Sequence, residues 1–311
     1  MNKLVTVIVP TIGRPKYIKS AVESILLQDY PEIEILISDN FPKISTSSVL
    51  GNMRDSRIKF VVRDRRLESS EHMNLCIKEA RGDFIMILSD DDLISTNYIS
   101  SMMNLFCANK DVIVGLGRQK VLSEEDLNIE TNVSAEDPVV FEGIEFTRDH
   151  FRGKLRLPIY TYFSLFAKKA DVISAGGFKA YPDGSNADNF LFYSLALKGK
   201  VGISSGWMGY RVYLKSSGLS TSFEKLYLST LAYDRDMSCQ AWGLESKPLF
   251  GRIQLRLLIK ISTARMMVRR LFKIYKARIG ALATVINLAR VLIVYLPSNI
   301  FSGFGYVNKL K

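Results

Sequence analysis

The stretch Gly82-Asp83-Phe84-Ile85-Met86-Ile87-Leu88-Ser89-Asp90-Asp91-Asp92 decides the fold class of this chain. Its apolar part is short and lies between a glycine and polar residues, which is typical of a strand buried on both faces. Three adjacent aspartates follow, and their carboxylates repel one another unless a cation lies close to them. Oxygen ligands of this kind suit a hard divalent ion such as Mg²⁺ or Mn²⁺. The alternative is an acidic turn in which Asp92 caps the next helix.

The residues upstream predict parallel strands beside this one. Residues 4–9 and 33–38 are rich in β-branched side chains and predict strands, and residues 16–28 between them show the apolar period of a helix. A strand, a helix and a strand within about forty residues form a βαβ unit, whose two strands are parallel. Polar loops follow the strands at their carboxyl ends, where open α/β sheets bind ligands. These loops are residues 10–14, 39–40 and 89–92.

Further elements of both kinds are predicted along the chain. The strands are residues 58–62 and 112–116, and the helices are residues 71–80, 95–107, 169–175 and 189–197. Residues 123–138 are acidic and polar, which predicts an exposed loop. With 311 residues, of which 47% are hydrophobic and 23% charged, the chain predicts a globular protein of one large domain or two.

Cysteine usage and the first residues indicate a cytoplasmic protein. Cys76, Cys107 and Cys239 are odd in number and widely spaced, so they fit no zinc pattern and indicate a reducing compartment. The apolar part of residues 4–10 is too short for a signal peptide, and Pro10 ends it without a small-residue cleavage site. We therefore interpret this segment as the first strand.

The net charge of +11 is concentrated after residue 245, in a tail that predicts a basic amphipathic helix. One face carries Arg252, Arg256 and Lys260, and another carries Leu257, Ile261, Ala264, Val268 and Leu271. Residues 281–296 are almost wholly apolar but are short for a membrane span. We expect these helices to lie on an anionic membrane surface. The alternative is a helical pair packed on the protein's own core, with a solvated basic face. No nucleic-acid-binding motif accompanies the charge.

Five motifs follow one another at characteristic distances. They are Val7-Ile8-Val9-Pro10-Thr11, Ser24-Ile25-Leu26-Leu27-Gln28-Asp29-Tyr30, Glu34-Ile35-Leu36-Ile37-Ser38-Asp39-Asn40, the opening stretch with Ala80-Arg81 before it, and Gly176-Gly177-Phe178 followed by Asp188. From about residue 4 to residue 220 the chain thereby resembles the inverting nucleotide-sugar glycosyltransferases of family 2. The resemblance implies the glycosyltransferase type A fold, an α/β fold with a Rossmann-like, mostly parallel sheet flanked by helices, here with a C-terminal helical extension.

The resemblance also implies which parts of the chain bind the donor and which bind the acceptor. Residues 1–115 form the nucleotide-sugar-binding half of a catalytic domain, residues 116–225 form its acceptor-binding half, and residues 226–311 form the basic helical tail. Thr11 and Asp39 are implied to face the nucleotide base, usually uracil, although Asp39 could instead cap a helix or turn. Arg14 could reach the donor phosphates.

The family's Asp-x-Asp element falls within Asp90, Asp91 and Asp92, where its register is ambiguous. We expect Asp91 to bind Mg²⁺ or Mn²⁺ directly, with Asp90 near the ribose or the metal and Asp92 in support. Such an ion neutralises the diphosphate leaving group as charge develops.

Asp188 stands where the family places its catalytic base, often as the second residue of a Glu-Asp pair. Here Ala187 precedes it, so one carboxylate remains. The alternative is an N-cap of the following helix, and Asp183 is the second candidate for the base. A histidine that many members carry is missing from residues 210–217, where Arg211 or Lys215 could supply positive charge. The Gln-x-x-Arg-Trp element of processive members is also absent, which predicts transfer of one sugar per encounter.

These residues together predict a metal-dependent inverting glycosyltransferase at the cytosolic face of a membrane. It would move one sugar from a nucleotide-diphosphate sugar, most readily a UDP-sugar, to a glycan or lipid-linked acceptor in surface polysaccharide synthesis. One alternative is a catalytically silent homologue that acts as a membrane assembly subunit. Another is a sugar nucleotidyltransferase, which would carry a glycine-rich loop with a lysine after the first strand, where residues 10–15 offer only Gly13.

Overall fold

A computed structural model describes residues 3–12, 15–41, 46–51, 53–122, 137–155, 165–211, 223–245 and 248–278. The elements follow in the order β1 (Val5–Thr11), α1 (Pro15–Leu26), β2 (Ile33–Asp39), α2 (Thr46–Val49), β3 (Ile58–Val62), α3 (Ser69–Glu79), β4 (Phe84–Ile87), β5 (Leu93–Ile94), α4 (Tyr98–Ala108), β6 (Val112–Leu122), β7 (Val139–Glu142), α5 (Gly143–Arg152), β8 (Phe166–Lys168), α6 (Lys169–Ser174), α7 (Ala187–Ala196), β9 (Lys200–Arg211), α8 (Phe223–Trp242) and α9 (Leu249–Arg278).

The first four strands form the parallel half of the sheet, as the βαβ pattern predicts. β1 lies between β2 and β4, with Val7 opposite both Ile35 and Met86, and β3 follows on the outer side of β2. The whole of β2 and of β4 is buried, which confirms that the opening stretch contains a strand covered on both faces. The apolar residues of α1 and α4 pack in the same core as β1 and β2.

The second half of the sheet is mixed, and most of it was not predicted. Among the described residues nine strands form one sheet in the order β3-β2-β1-β4-β8-β6-β9-β5, with β7 also paired to β9. β8 runs antiparallel to both β4 and β6, whereas β6 and β9 run parallel. The sequence predicted β1 to β4 and the first part of β6. The predicted fold class, an α/β fold with a central sheet flanked by helices, is confirmed.

Two compact units make up the chain. The first comprises residues 1–147, 155–180 and 186–215, and it contains all the strands of the described residues. The second comprises residues 148–154, 181–185 and 216–311 and contains α8 and α9. The predicted boundaries at residues 115 and 225, which rest on function, stay a prediction.

In the second unit, α8 and α9 pack through a partly polar seam. Lys260 Nζ lies 3.5 Å from Asp234 Oδ2, and Thr263 Oγ1 donates to Asp234 Oδ1 at 3.1 Å. The guanidinium groups of Arg252 and Arg256 lie 5.5 and 5.8 Å from the Trp242 ring centroid. The basic face expected on α9 is therefore half-buried against α8. The predicted helical pair, whose second helix would be residues 281–296, stays a prediction because that segment lies outside the described residues. α8 was not predicted.

No helix within the described ranges is both long enough and apolar enough to cross a membrane. The predicted apolar segment 281–296 lies outside the described residues, as does nearly all of the acidic loop expected at 123–138.

Candidate active site

Three predicted site residues meet at the carboxyl ends of the parallel strands. Thr11 ends β1 and lies opposite Asp39 at the end of β2. The Thr11 hydroxyl donates to Oδ2 of Asp90, which follows β4 on the other side of β1. The backbone N–H of Asn40 donates to the carbonyl of Thr11 at 2.8 Å. The fold thus gathers the ends of β1, β2 and β4 into one site, as expected for this edge of an α/β sheet.

The aspartate triplet (Asp90, Asp91 and Asp92) is buried, since none of its members is more than 7% exposed. The backbone N–H of Asp92 donates to the Ser89 carbonyl at 3.1 Å, which turns the chain after β4. The alternative in which Asp92 caps the next helix is wrong. The residues after Asp92 form β5, which pairs with β9, and α4 begins only at Tyr98.

Gln28, from a motif that carried the resemblance, holds the segment that follows the triplet. Its amide nitrogen donates to the carbonyl of Ser95 at 2.7 Å, and its amide oxygen accepts from the N–H of Ile99 at 3.0 Å. Ser24, one turn earlier on α1, accepts a longer bond from the N–H of Ile94 at 3.4 Å. The buried amide therefore satisfies backbone groups that β5 and the start of α4 would otherwise leave unpaired.

Asp39 caps α2. Its two carboxylate oxygens accept from the backbone N–H of Thr46 at 2.8 Å and from the Thr46 hydroxyl at 2.6 Å. The cap that the sequence left open as an alternative is therefore present. Each oxygen retains a second lone pair, so a contact with a nucleotide base stays a prediction. Arg14 lies outside the described residues.

A buried polar network that the sequence did not reveal lies behind Asp39. The Ser38 hydroxyl is 2.8 Å from Nε2 of His72 and accepts from Nε of Arg63 at 3.2 Å. Arg63 also donates to both carboxylate oxygens of Glu79 at 2.8 Å. Burial, with the nearby Arg63 charge second, lowers the pKa of His72 to about 4, so this imidazole is neutral at pH 7. His72 thus supports the end of β2 through its hydrogen bond to Ser38.

Two arginines near the end of β2, Arg63 and Arg65, are engaged in ion pairs. Arg63 is held by Glu79 in a half-buried bidentate pair, and its backbone N–H donates to the carbonyl of Asp39 at 2.9 Å. Arg65 pairs with Glu71 at 2.6 Å in an exposed position. Arg63 therefore fixes the end of β2, and a rearrangement of its ion pair would be needed before it could bind phosphate.

The triplet fits a divalent ion that binds together with a diphosphate. No three His, Cys, Asp or Glu side chains of the described residues are grouped as a complete metal site. Mg²⁺ and Mn²⁺ at phosphate-transfer sites commonly use one or two carboxylates, and substrate phosphates and water complete the ligand set. The buried triplet contains enough carboxylates to supply one or two of them as ligands. The donor chemistry of the site therefore matches such an ion.

Asp188 lies in the first turn of α7, half-buried, in the same unit as the triplet. The helix begins at Ala187, two residues earlier than predicted, so Asp188 is inside the helix and Asn186 precedes it. Asn186 has a left-handed backbone with φ of 66°, and its carbonyl accepts the N–H of Phe190 at 2.9 Å. A carboxylate in the first turn is stabilised by the helix dipole. The N-cap alternative for Asp188 is therefore wrong.

Asp183, the second candidate for the base, closes a turn. Its Oδ1 accepts from the backbone N–H of Ser185 at 2.9 Å and from the Ser185 hydroxyl at 2.7 Å. It belongs to the second unit. These bonds give Asp183 a structural task of the kind that aspartate commonly has in turns.

Asn74 joins two of the motifs that lie far apart in sequence. Its amide donates to the carbonyl of Phe178 and accepts from the N–H of Phe178, both at 2.8 Å. Gly177 has φ of 63°, and a Cβ there would lie 2.3 Å from Asn74 Oδ1, so only glycine fits this turn. The Gly176-Gly177-Phe178 motif is thus explained by its packing on α3.

The fold and the site define an α/β protein with an acidic site at the carboxyl ends of its parallel strands, and comparison with known proteins gives its family. The sequence model described as glycosyl transferase family 2 matches residues 6–172, more than half of the chain. The chain therefore belongs to glycosyl transferase family 2, as the motifs predicted.

Characterised relatives are moderately similar. A GalNAc(5)-diNAcBac-PP-undecaprenol beta-1,3-glucosyltransferase of Campylobacter jejuni is 27% identical over 74% of this chain and 72% of its own length. Glycosyltransferase GlyG of Streptococcus pneumoniae is 28% identical over 46% of this chain. The UDP-Glc:alpha-D-GlcNAc-diphosphoundecaprenol beta-1,3-glucosyltransferase WfgD of Escherichia coli is 27% identical over 34%. The chain spans about half of GlyG, 48%, and 42% of WfgD.

Solved structures confirm the glycosyltransferase type A fold. S. aureus TarS 1-349 in complex with UDP-GlcNAc has a TM-score of 0.65 at 15% identity, over 96% of this chain and 82% of that one. The mannosyltransferase PcManGT of Pyrobaculum calidifontis, in complex with GDP-Man and Mn²⁺, has a TM-score of 0.54 at 16% identity, over 95% of this chain and 81% of that one. At this level of identity the likeness concerns the fold alone.

Proposed function

We propose that this chain is a metal-dependent inverting glycosyltransferase that moves one sugar from a nucleotide-diphosphate sugar to a lipid-linked acceptor in surface polysaccharide synthesis. The observation that carries the proposal is the buried aspartate triplet at the end of β4. Its Asp90 accepts a hydrogen bond from Thr11 at the end of β1, the strand that lies between β4 and β2. In a family 2 chain this is the edge of the sheet where a nucleotide would bind.

The relatives support a donor and an acceptor class. The names of the C. jejuni and E. coli enzymes specify a beta-1,3-glucosyl transfer onto a sugar carried by undecaprenol through a diphosphate, and the E. coli name gives UDP-Glc as the donor. We propose that this chain likewise takes a UDP-sugar and an undecaprenyl-diphosphate-linked sugar. Its location would then be the cytosolic face of a membrane, which agrees with the free thiols of Cys76, Cys107 and Cys239.

Within the proposed site, Asp91 would bind Mg²⁺ or Mn²⁺ directly, and Asp90 and Asp92 would support it. When bound, such an ion neutralises charge on the departing nucleoside diphosphate. Thr11 orients Asp90 through its hydroxyl, which fixes one carboxylate in place before the donor arrives. The Asp39 carboxylate, held by Thr46, would accept a hydrogen bond from the ring N–H of the base.

Asp188 would act as the general base. Its carboxylate would take the proton of the acceptor hydroxyl while that oxygen attacks the anomeric carbon from the face opposite the diphosphate. The sugar–phosphate bond breaks as the new glycosidic bond forms, and the electron pair leaves with the nucleoside diphosphate. A single displacement of this kind inverts the configuration. Ala187 at the preceding position leaves Asp188 to carry this role alone.

The decisive experiment compares the wild type with Asp188→Asn and, as a control, Asp111→Asn, whose side chain is 76% exposed. With UDP-glucose, Mn²⁺ and a diphosphate-linked acceptor, Asp188→Asn should lower kcat by about 10²–10⁴-fold and leave nucleotide affinity unchanged. NMR of the product should show an inverted anomeric centre. The control should behave as wild type.

Other results would contradict the proposal in recognisable ways. A near-wild-type rate for Asp188→Asn would remove the assigned base. Release of inorganic pyrophosphate from a nucleoside triphosphate and a sugar phosphate would indicate the nucleotidyltransferase alternative. A chain that binds UDP-sugars but transfers nothing under any condition would indicate the silent assembly subunit.

A further inference from the structure

The side of α9 that turns away from the α8–α9 seam is apolar and exposed. We name it the α9 stripe: Leu249, Phe250, Ile253, Leu257 and Ile261, whose exposure ranges from 37% to 70%. These positions follow the helical period and extend along about 18 Å of the helix. Leu255, Ile259 and Met267 are buried on the other side, so the stripe takes no part in the core of this unit.

The net charge of the whole helix indicates the kind of partner. α9 carries nine basic residues and no acidic residue over Leu249–Arg278. Three of them face α8, and the other six follow the stripe from Arg265 onward. Two copies that paired through this helix would bring two strongly basic helices together, and their like charges would repel each other. An anionic lipid surface neutralises the same charge and accepts the apolar side chains between its headgroups.

We propose that the α9 stripe inserts into the headgroup region of an anionic bilayer. Arg252, Arg256 and Lys260, which the sequence assigned to the membrane contact, instead brace α9 against Trp242 and Asp234 of α8. Insertion of the apolar side chains makes the contact, and the remaining cations, such as the exposed Arg265, supply attraction to the lipid charge. The idea that this contact brings the active site to a lipid-linked acceptor rests on the proposed function. Binding of the chain to vesicles does not depend on that function.

The test is co-sedimentation of the full chain with vesicles of phosphatidylcholine and phosphatidylglycerol, and with phosphatidylcholine alone. Ile253→Ser/Leu257→Ser should weaken partition into anionic vesicles by at least about tenfold. The matched control is Ile173→Ser/Leu27→Ser, which changes the same residue types at 56% exposure in the first unit and should bind as wild type. Circular dichroism melts should coincide, and Leu257→Ser alone replaces the double variant if they do not.

Three outcomes would overturn the proposal. Equal binding by the stripe variant and wild type would place the membrane contact elsewhere in the chain. A wild type that ignores vesicles but forms a dimer that the stripe variant lacks would make a second copy the partner. A monomer that ignores vesicles would mean that the stripe is not a lipid contact. Asp188→Asn should still bind vesicles, so a failure of the proposed catalytic role leaves this test unaffected.

Discussion

Replacement of His72 by glutamine should remove part of the pH dependence of stability. His72 is 4% exposed on α3, hydrogen-bonded to Ser38 and close to the Arg63 guanidinium. Its pKa falls from the ordinary 6.5 to about 4 because burial, and then the Arg63 charge, disfavour the imidazolium. In the unfolded chain the His72 imidazole binds a proton below about pH 6.5, whereas in the folded chain it does so only below about pH 4. Folding stability therefore falls as the pH is lowered through this window.

The size of the effect follows from the shift in pKa. Each unit of pKa difference is worth about 1.4 kcal/mol, so the full shift corresponds to about 3 kcal/mol below pH 4. Between pH 7 and pH 5 the same two pKa values give a loss of about 2 kcal/mol. His72→Gln keeps a hydrogen-bonding amide near Ser38 but cannot titrate. Between pH 7 and pH 5 the free energy of unfolding of His72→Gln should therefore fall by about 2 kcal/mol less than that of the wild type.

The assay is urea unfolding at pH 7 and pH 5, followed by circular dichroism. Any constant cost of the substitution cancels, because the comparison is between two pH values for each protein. Ile77→Val on the same helix is the control: it should cost about 1 kcal/mol at both values and keep the wild-type pH dependence. If the free energy of unfolding falls equally for His72→Gln and the wild type between pH 7 and pH 5, His72 does not stay neutral in the folded chain and the reasoning is refuted.

Three further predictions concern the rest of the first unit. Asn74→Ala should lower the free energy of unfolding by about 2–4 kcal/mol, because it leaves both backbone groups of buried Phe178 without their partner. The control is Asn104→Ala at an exposed position, which should change that free energy by less than about 0.5 kcal/mol in the same thermal unfolding assay. Burial favours a higher pKa for Glu34, but hydrogen bonds from Thr6 and Arg81 outweigh burial and lower the pKa. The wild type should therefore be more stable than Glu34→Gln at pH 7, and this difference should shrink as the pH falls below 4.5. Chelation by EDTA should abolish sugar transfer, and Mn²⁺ or Mg²⁺ should restore it; full activity in EDTA would remove the metal from the mechanism.

Local patterns predicted the parallel half of the sheet well. The β-branched runs, the helical period of α1 and the apolar run of β4 each lie within a dozen residues, so propensity and burial act together there. The acidic triplet at a strand end, and its neighbours Thr11 and Asp39, follow from the rule that parallel strands end at one edge. The family motifs added Asp188, which lies in the first turn of α7 and whose role stays a prediction.

The antiparallel and late strands were harder to predict. β5 has two residues and β8 has three, and both are too short to show a period. β9 contains Gly202, Gly206 and Gly209, which break a strand pattern, yet the close approach of Leu105, Tyr98 and Leu122 leaves no room for a Cβ at any of them. Its pairing with β6 is visible only once both strands are in place.

The sequence by itself determined the βαβ beginning of the chain, the acidic loop after β4, the family and the amphipathic character of α9, because each is written in residues that lie close together. Only the tertiary structure decided that Gln28 holds the segment after the triplet and that Arg63 and His72 support the strand end beside Asp39. It also decided that three cations of α9, Arg252, Arg256 and Lys260, face α8. Contacts such as these join residues tens of positions apart. Their partners are chosen by competition for burial and hydrogen bonds across the whole chain, which no local pattern records.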